Sequence, residues 1–187
     1  MSKECAIRDT TAHHIPAAVE AAQKADAVVL VVGGSSARDF KTKYIETGAA
    51  TVTQEENQQL SDMECGEGYD RSTLKLLGYQ EKLMEAITST GKPVIVIYIQ
   101  GRPLNMNLAA EKAQALLTAW YPGEQGGAAI ADVLFGDYNP AGRLPVSIPR
   151  SEGQLPLFLF TRRATVLCRR SRNSTICIRL RFELYSI

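Results

Sequence analysis

The sequence predicts an α/β fold: a three-layer sandwich with a mainly parallel sheet and helices on both faces. Three observations predict it. Two unbroken apolar runs, Ala27–Val32 and Val94–Ile99, are each followed closely by glycine, as strands of a parallel sheet covered on both faces read. Stretches with apolar residues at helical spacing alternate with these runs, and that alternation implies parallel pairing through crossovers. In such sheets ligands are taken at the carboxyl ends of the strands.

In chain order, Ala17, Val19, Ala21 and Ala22 recur at helical spacing over Ala17–Ala25, with Pro16 fitted to a first-turn position. The first strand follows and ends in Gly33-Gly34. Residues 35–70 are polar and aperiodic, far beyond the usual connection of about 4–6 residues, and loops of that length are functional or disordered. A helix is predicted over Thr73–Thr88, with Leu74, Leu77, Leu83, Met84 and Ile87 on one face and Gly91-Lys92-Pro93 as its stop. After the second strand come a short helix over Asn107–Lys112 and a third strand over Ala115–Trp120. A helix over Glu124–Phe135 is stopped by Gly136, and a last extended segment runs over Leu144–Ile148.

Composition narrows the function classes. At 187 residues and 45% hydrophobic the chain can bury one core. Its apolar runs are far shorter than the roughly 20 residues of a membrane span, so no membrane partner is expected, and Met1-Ser2-Lys3-Glu4 leads into no signal-peptide segment. Cys5, Cys65, Cys168 and Cys177 have neither disulfide-framework density nor a CxxC spacing, which leaves the compartment open. His13 and His14 are adjacent and do not share a helix face, and Gly33-Gly34-Ser35-Ser36 lacks both dinucleotide and phosphate-loop fingerprints. No metal and no cofactor are expected.

The stretch with most chemistry is Glu64-Cys65-Gly66-Glu67-Gly68-Tyr69-Asp70-Arg71. A carboxylate between two glycines suits close approach of a ligand and suits an ordinary surface turn equally well. Glu64 and Asp70 are candidate helpers. Asp70 also suits the cap of the following helix, and Arg71 suits pairing with a nearby carboxylate.

These residues, with Leu74 and Gln80, then Gly101-Arg102-Pro103-Leu104, the segment AWYPGEQGG from Ala119, and IADVLFGDYNPAGRLPVSIPRS from Ile130, resemble the C-terminal α/β-sandwich domain of glycoside hydrolase family 3. The resemblance covers about Ala25–Phe158. It implies an enzyme that pairs an N-terminal barrel, holder of an aspartate nucleophile, with this sandwich, whose loop supplies the acid/base glutamate. Glu67 matches that acid/base position. The implied substrates are β-glucosides and β-xylosides, as β-linked oligosaccharide or aryl glycoside. Phe40 and Tyr69 are the candidates for lining a sugar subsite, with Asp70 and Arg71 in support. Trp120 and Tyr121, beside a strand, read as core or domain-interface residues.

The expected organisation is a partial sandwich domain over residues 1–158, without the barrel, and an aberrant basic tail over 159–187, poorly ordered. On that expectation the isolated chain is inactive. A stand-alone carbohydrate-binding or scaffold domain is the competing reading. Residues 162–187 hold seven arginines and a single acidic residue, Glu183, but Phe182 and Tyr185 are the only aromatics beside them and no binding motif accompanies them, so no selected nucleic-acid partner is expected. Codons for Arg172–Ser186 can be chosen so that reading one base later gives GTPLYAFGYGLSYTR, the closing segment that the resemblance implies, which points to a frameshift near Phe158–Arg163.

Overall fold

The computed structural model describes residues 7–36, 46–47, 63–66 and 70–156. The tail reading therefore falls outside the described residues. The described chain forms an α/β fold on a three-stranded, all-parallel sheet in the order β1-β2-β3, with β1 at Val28–Gly33, β2 at Val94–Ile99 and β3 at Ala115–Thr118. Val28 lies opposite Val94, Gly33 opposite Ile99, and Ile95 opposite Ala115. Helices α1 (Ile15–Lys24), α2 (Gln80–Thr88), α3 (Asn107–Lys112) and α4 (Gly126–Phe135) and a 3-10 turn at Glu152–Gln154 complete the regular elements among the described residues. None of the described helices is long and apolar enough to cross a membrane.

The sheet face made by Leu30 and Val32, Val94, Val96 and Tyr98, and Leu116 packs against α1, α2 and α3. Ala18 and Ala22 come from α1, Leu83, Met84 and Ile87 from α2, and Ala109 from α3. α1 rests on α2, which touches α3 and β1. Small residues on α1 and α3 and long ones on α2 make α2 the central helix of this layer, since alanines allow its neighbours to approach.

Strand β1 departs from its expected burial on both faces. Val29 and Val31 point to the opposite face, as alternation requires, and remain 50% and 57% exposed. In β2 the same face is closed at Ile97, which is 1% exposed between Val31 and Leu117. The unbroken apolar run thus marks a buried centre at β2 and an open edge at β1.

The helix predicted over Thr73–Thr88 forms only from Gln80, with Tyr79 as its N-cap. Residues before it have their backbone groups engaged elsewhere. Leu74 N–H donates to Glu152 Oε1 at 2.8 Å, the Leu74 carbonyl accepts from Asn105 N–H at 2.7 Å, and the Lys75 carbonyl accepts from Arg71 Nη2. Gly78 then turns with φ +59° before α2 begins. Tertiary partners outbid the helical ladder over this stretch. Asp70, ten residues before α2, consequently does not cap it. Leu144–Ile148 joins no sheet: the chain bends at Pro145-Val146, although Ile148 is fully buried in the core. The helix stop at Gly136 is as expected, with φ +87°.

One side chain fixes the end of β1. Among the described residues no strand pairs with Gly33 on its outer edge, and the Gln80 amide bonds it there: Gly33 N–H donates to Gln80 Oε1 at 2.8 Å, and Gln80 Nε2 donates to the Gly33 carbonyl at 2.9 Å. Both residues are buried. Two buried backbone groups without partners cost about 1–3 kcal/mol each, so Gln80→Leu is expected to lower stability by about 2–6 kcal/mol in urea denaturation.

Glu152 ties the C-terminal segment to the stretch ahead of α2. Leu74 N–H and Thr73 Oγ1 both donate to its Oε1, and these bonds hold its carboxyl below the ordinary value of 4.5. A depressed folded-state pKa adds stability that is complete above the unfolded value and is lost as pH falls through the folded one. Unfolding free energy followed downward from pH 5 should therefore decline, and Glu152→Gln should flatten that decline.

Candidate active site

Three strand ends and one loop converge. β1 runs into Gly34-Ser35-Ser36, β2 into Gln100-Gly101-Arg102 and β3 into Ala119-Trp120-Tyr121, all at the carboxyl edge of the sheet. The segment 63–66 crosses this edge. Met63 bridges to Ser35 in parallel fashion, Glu64 N–H donates to the Ser35 carbonyl at 2.8 Å, and Arg8 Nη2 reaches the Met63 carbonyl at 3.2 Å.

Two glycines make room for it. A Cβ on Gly34 would lie 2.0 Å from Glu64 Oε1, and one on Gly101 would lie 2.4 Å from Tyr121 Cε2 and 2.7 Å from Cys65 Sγ. The Glu64 carboxylate thus fills the space beside the β1 end, while Cys65 and Tyr121 share the space beside the β2 end. Any larger residue at either glycine would displace the crossing segment.

Glu64 is paired with Arg71. Arg71 Nη1 bonds Glu64 Oε2, and Arg71 Nη2 bonds the Lys75 carbonyl. The Glu64 side chain has no exposed surface and that of Arg71 is 8% exposed, yet Glu64 Oε1 makes no hydrogen bond. This is a desolvated ion pair with a half-satisfied carboxylate, the arrangement in which removing one partner is most costly.

The Tyr121 ring lies at the mouth, 37% exposed. Burial pushes its hydroxyl above the ordinary value of 10.0, with the negative charges of Glu64 and Cys65 adding to that, while a hydrogen bond with Ser36 and the Arg102 guanidinium act in the opposite sense. Tyr121 thereby reports four of the converging groups. It reaches this place because Trp120 turns the chain with φ +52°, a left-handed conformation that a bulky residue adopts only under local constraint. The Trp120 carbonyl accepts Gln100 N–H at 3.2 Å in that turn.

Of the residues singled out by sequence, Glu67, Tyr69 and Phe40 lie outside the described residues. Asp70 is exposed, and Arg71 is the group brought into the cluster. Tyr121 stands at the sheet's carboxyl edge, partly open to solvent, so of its two sequence readings, core or domain interface, it is not a core residue. The burial of Glu64 was hidden: its only sequence signal is the glycine pair at the end of β1, of which Gly34 leaves the space that it fills.

The model of the glycosyl hydrolase family 3 C-terminal domain matches residues 3–183. The chain belongs to this family. It is 44% identical over 156 residues to a beta-xylosidase of Formosa agariphila, covering 83% of this chain and 18% of that protein. A periplasmic beta-glucosidase of Salmonella typhimurium is 39% identical over 144 residues, covering 77% and 15%. Among solved structures, a beta-glucosidase from Listeria innocua matches with a TM-score of 0.63 at 29% identity, over 81% of this chain and 18% of that one. The chain spans less than a fifth of the length of each of these relatives. The chain thus corresponds to a family 3 C-terminal domain within much longer proteins.

For this domain the ion pair sets a clear expectation. Arg71→Met leaves Glu64 buried without its counter-charge and should cost about 3–5 kcal/mol of stability, read by chemical denaturation of the purified chain.

Proposed function

We propose that this chain is the part of a retaining β-glycosidase that presents the acid/base glutamate, Glu67, to β-glucosides or β-xylosides bound in an N-terminal barrel. The observation that carries the reading is the crossing segment: residues 63–66, directly ahead of Glu67, are anchored at the carboxyl end of a parallel strand, where α/β folds take ligands. Glu64 does not compete for the role. Its side chain has no exposed surface and its carboxylate holds Arg71, so it cannot reach a glycosidic oxygen. The printed names of the relatives, beta-xylosidase and beta-glucosidase, support the substrate class, as do the glucose and isofagomine complexes of the Listeria innocua protein.

Retaining hydrolysis needs two carboxyl groups about 5–5.5 Å apart. One, ionised, attacks the anomeric carbon while the other donates its proton to the leaving oxygen. The glycosyl–enzyme ester is then opened by water, which gives its proton back to the second group. In this reading Glu67 is the second group and the barrel supplies the first. Phe40 and Tyr69 line the sugar site, and Asp70 flanks the loop. The chain alone is half of a catalytic pair.

Hydrolysis of aryl β-glucoside and β-xyloside, measured for the chain alone and together with the barrel, tests this. The chain alone should be inactive, and activity regained with the barrel should fall by about 100-fold or more in Glu67→Gln. Turnover by the chain alone that Glu67→Gln abolishes would mean a second carboxylate lies within it. Sugar affinity without any turnover in the barrel-bearing enzyme would instead favour a carbohydrate-binding module.

A further inference from the structure

We infer that Glu64 and Arg71 are positioning residues: their buried ion pair staples the two ends of the acid/base loop and so sets where its glutamate stands. The inference rests on the role proposed for Glu67. Residues 64 and 71 enclose 65–70, and the pair joins the first foot of that span to the last. Each foot has its own anchor. The first is held through Glu64 N–H to the Ser35 carbonyl at 2.8 Å and by the Met63–Ser35 bridge, the second through Arg71 Nη2 to the Lys75 carbonyl. Gly34 admits the carboxylate against the end of β1, so the staple is registered to the sheet itself.

The chemistry of the pair argues for position rather than stability. Glu64 Oε1 is buried without a hydrogen bond, so the carboxylate has lost water on two oxygens and recovered a partner on one. An apolar pair of the same volume would be no less stable in such a place. What an apolar pair would not supply is direction: a guanidinium that spans a carboxylate and a backbone carbonyl fixes both ends in angle as well as distance. General-acid catalysis is sensitive to that, since a misplacement of about 1 Å can cost about 100-fold.

Position and folding are separated by the leaving group. Cleavage of a dinitrophenyl β-glycoside needs no proton donor, whereas cleavage of a β-linked disaccharide does. In the barrel-bearing enzyme, the Glu64→Gln/Arg71→Met double variant removes both charges together and leaves no lone buried ion. Its kcat/KM for the disaccharide should fall by about 10- to 100-fold while that for the dinitrophenyl glycoside changes less than about threefold. Arg71→Lys retains the charge but cannot span Glu64 and the Lys75 carbonyl at once, and should show the same split in smaller measure; it decides the matter if the double variant does not fold. Equal losses on both substrates, or no loss on either, would overturn the inference. Glu67→Gln is the reference: if it lacks the split, the acid/base assignment itself fails, and if it alone shows the split, only the staple fails.

Discussion

The peptide of Gly33 is the point on which the rest of the structure depends. On one side the Gln80 amide bonds both its N–H and its carbonyl. On the other, Gly33 approaches Ile99 so closely that a Cβ would stand 1.8 Å from the Ile99 carbonyl oxygen, and its φ of +143° is one that side chains rarely adopt. Only glycine fits, and a side chain with a donor and an acceptor side by side is what bonds both of its backbone groups. From this fixed peptide the chain passes to Gly34, whose N–H donates to the Ile99 carbonyl at 2.9 Å, and then to Ser35, which receives Met63 and Glu64. The placement of the crossing segment is inherited from the Gln80 clamp.

Electrostatics then decides which groups in the cluster are available for chemistry. Glu64 is consumed by Arg71, and Arg71 by Glu64 and the Lys75 carbonyl together. Tyr121 retains an exposed ring but has its hydroxyl biased toward the protonated form, first by burial and then by the nearby negative charge. A protonated phenol beside a paired carboxylate is a hydrogen-bonding surface. The described groups at the strand ends thus form a support, and the reactive carboxylate of the proposed mechanism is carried by the loop that they support.

Much of the fold was legible because its signals are local. Val94–Ile99 is apolar without interruption and lies at the centre of the sheet, and Gly136 stops α4 because a left-handed residue is needed there. What escaped depends on partners distant in sequence. Leu74 and Leu77 share the apolar spacing of α2, but Glu152, Asn105 and Arg71 take the backbone groups that a helix over 73–79 would use. Spacing reports which face of a segment is apolar and says nothing of who claims its carbonyls. The same holds at the site. Glu64 is indistinguishable in sequence from any loop glutamate, because its burial is created by Gly34, thirty residues earlier in the chain. Val29 and Val31 look like core, since hydropathy cannot tell a central strand from one at the open edge of a sheet.

Dividing a catalytic pair between two domains places a particular demand on the domain that carries the loop. In the proposed reaction the two carboxyl groups must stand about 5–5.5 Å apart. Any looseness of the loop on its sheet would add to looseness between the domains, and the error that matters to proton transfer is the sum of the two. The loop is the part that residues inside this chain can position independently, and the described contacts hold its two feet: Glu64 bonds the end of β1 through its backbone N–H, and the Arg71 guanidinium joins Glu64 to the Lys75 carbonyl. A half-satisfied buried carboxylate is a poor device for stability, but it is well suited to removing freedom from a segment that must arrive in one place.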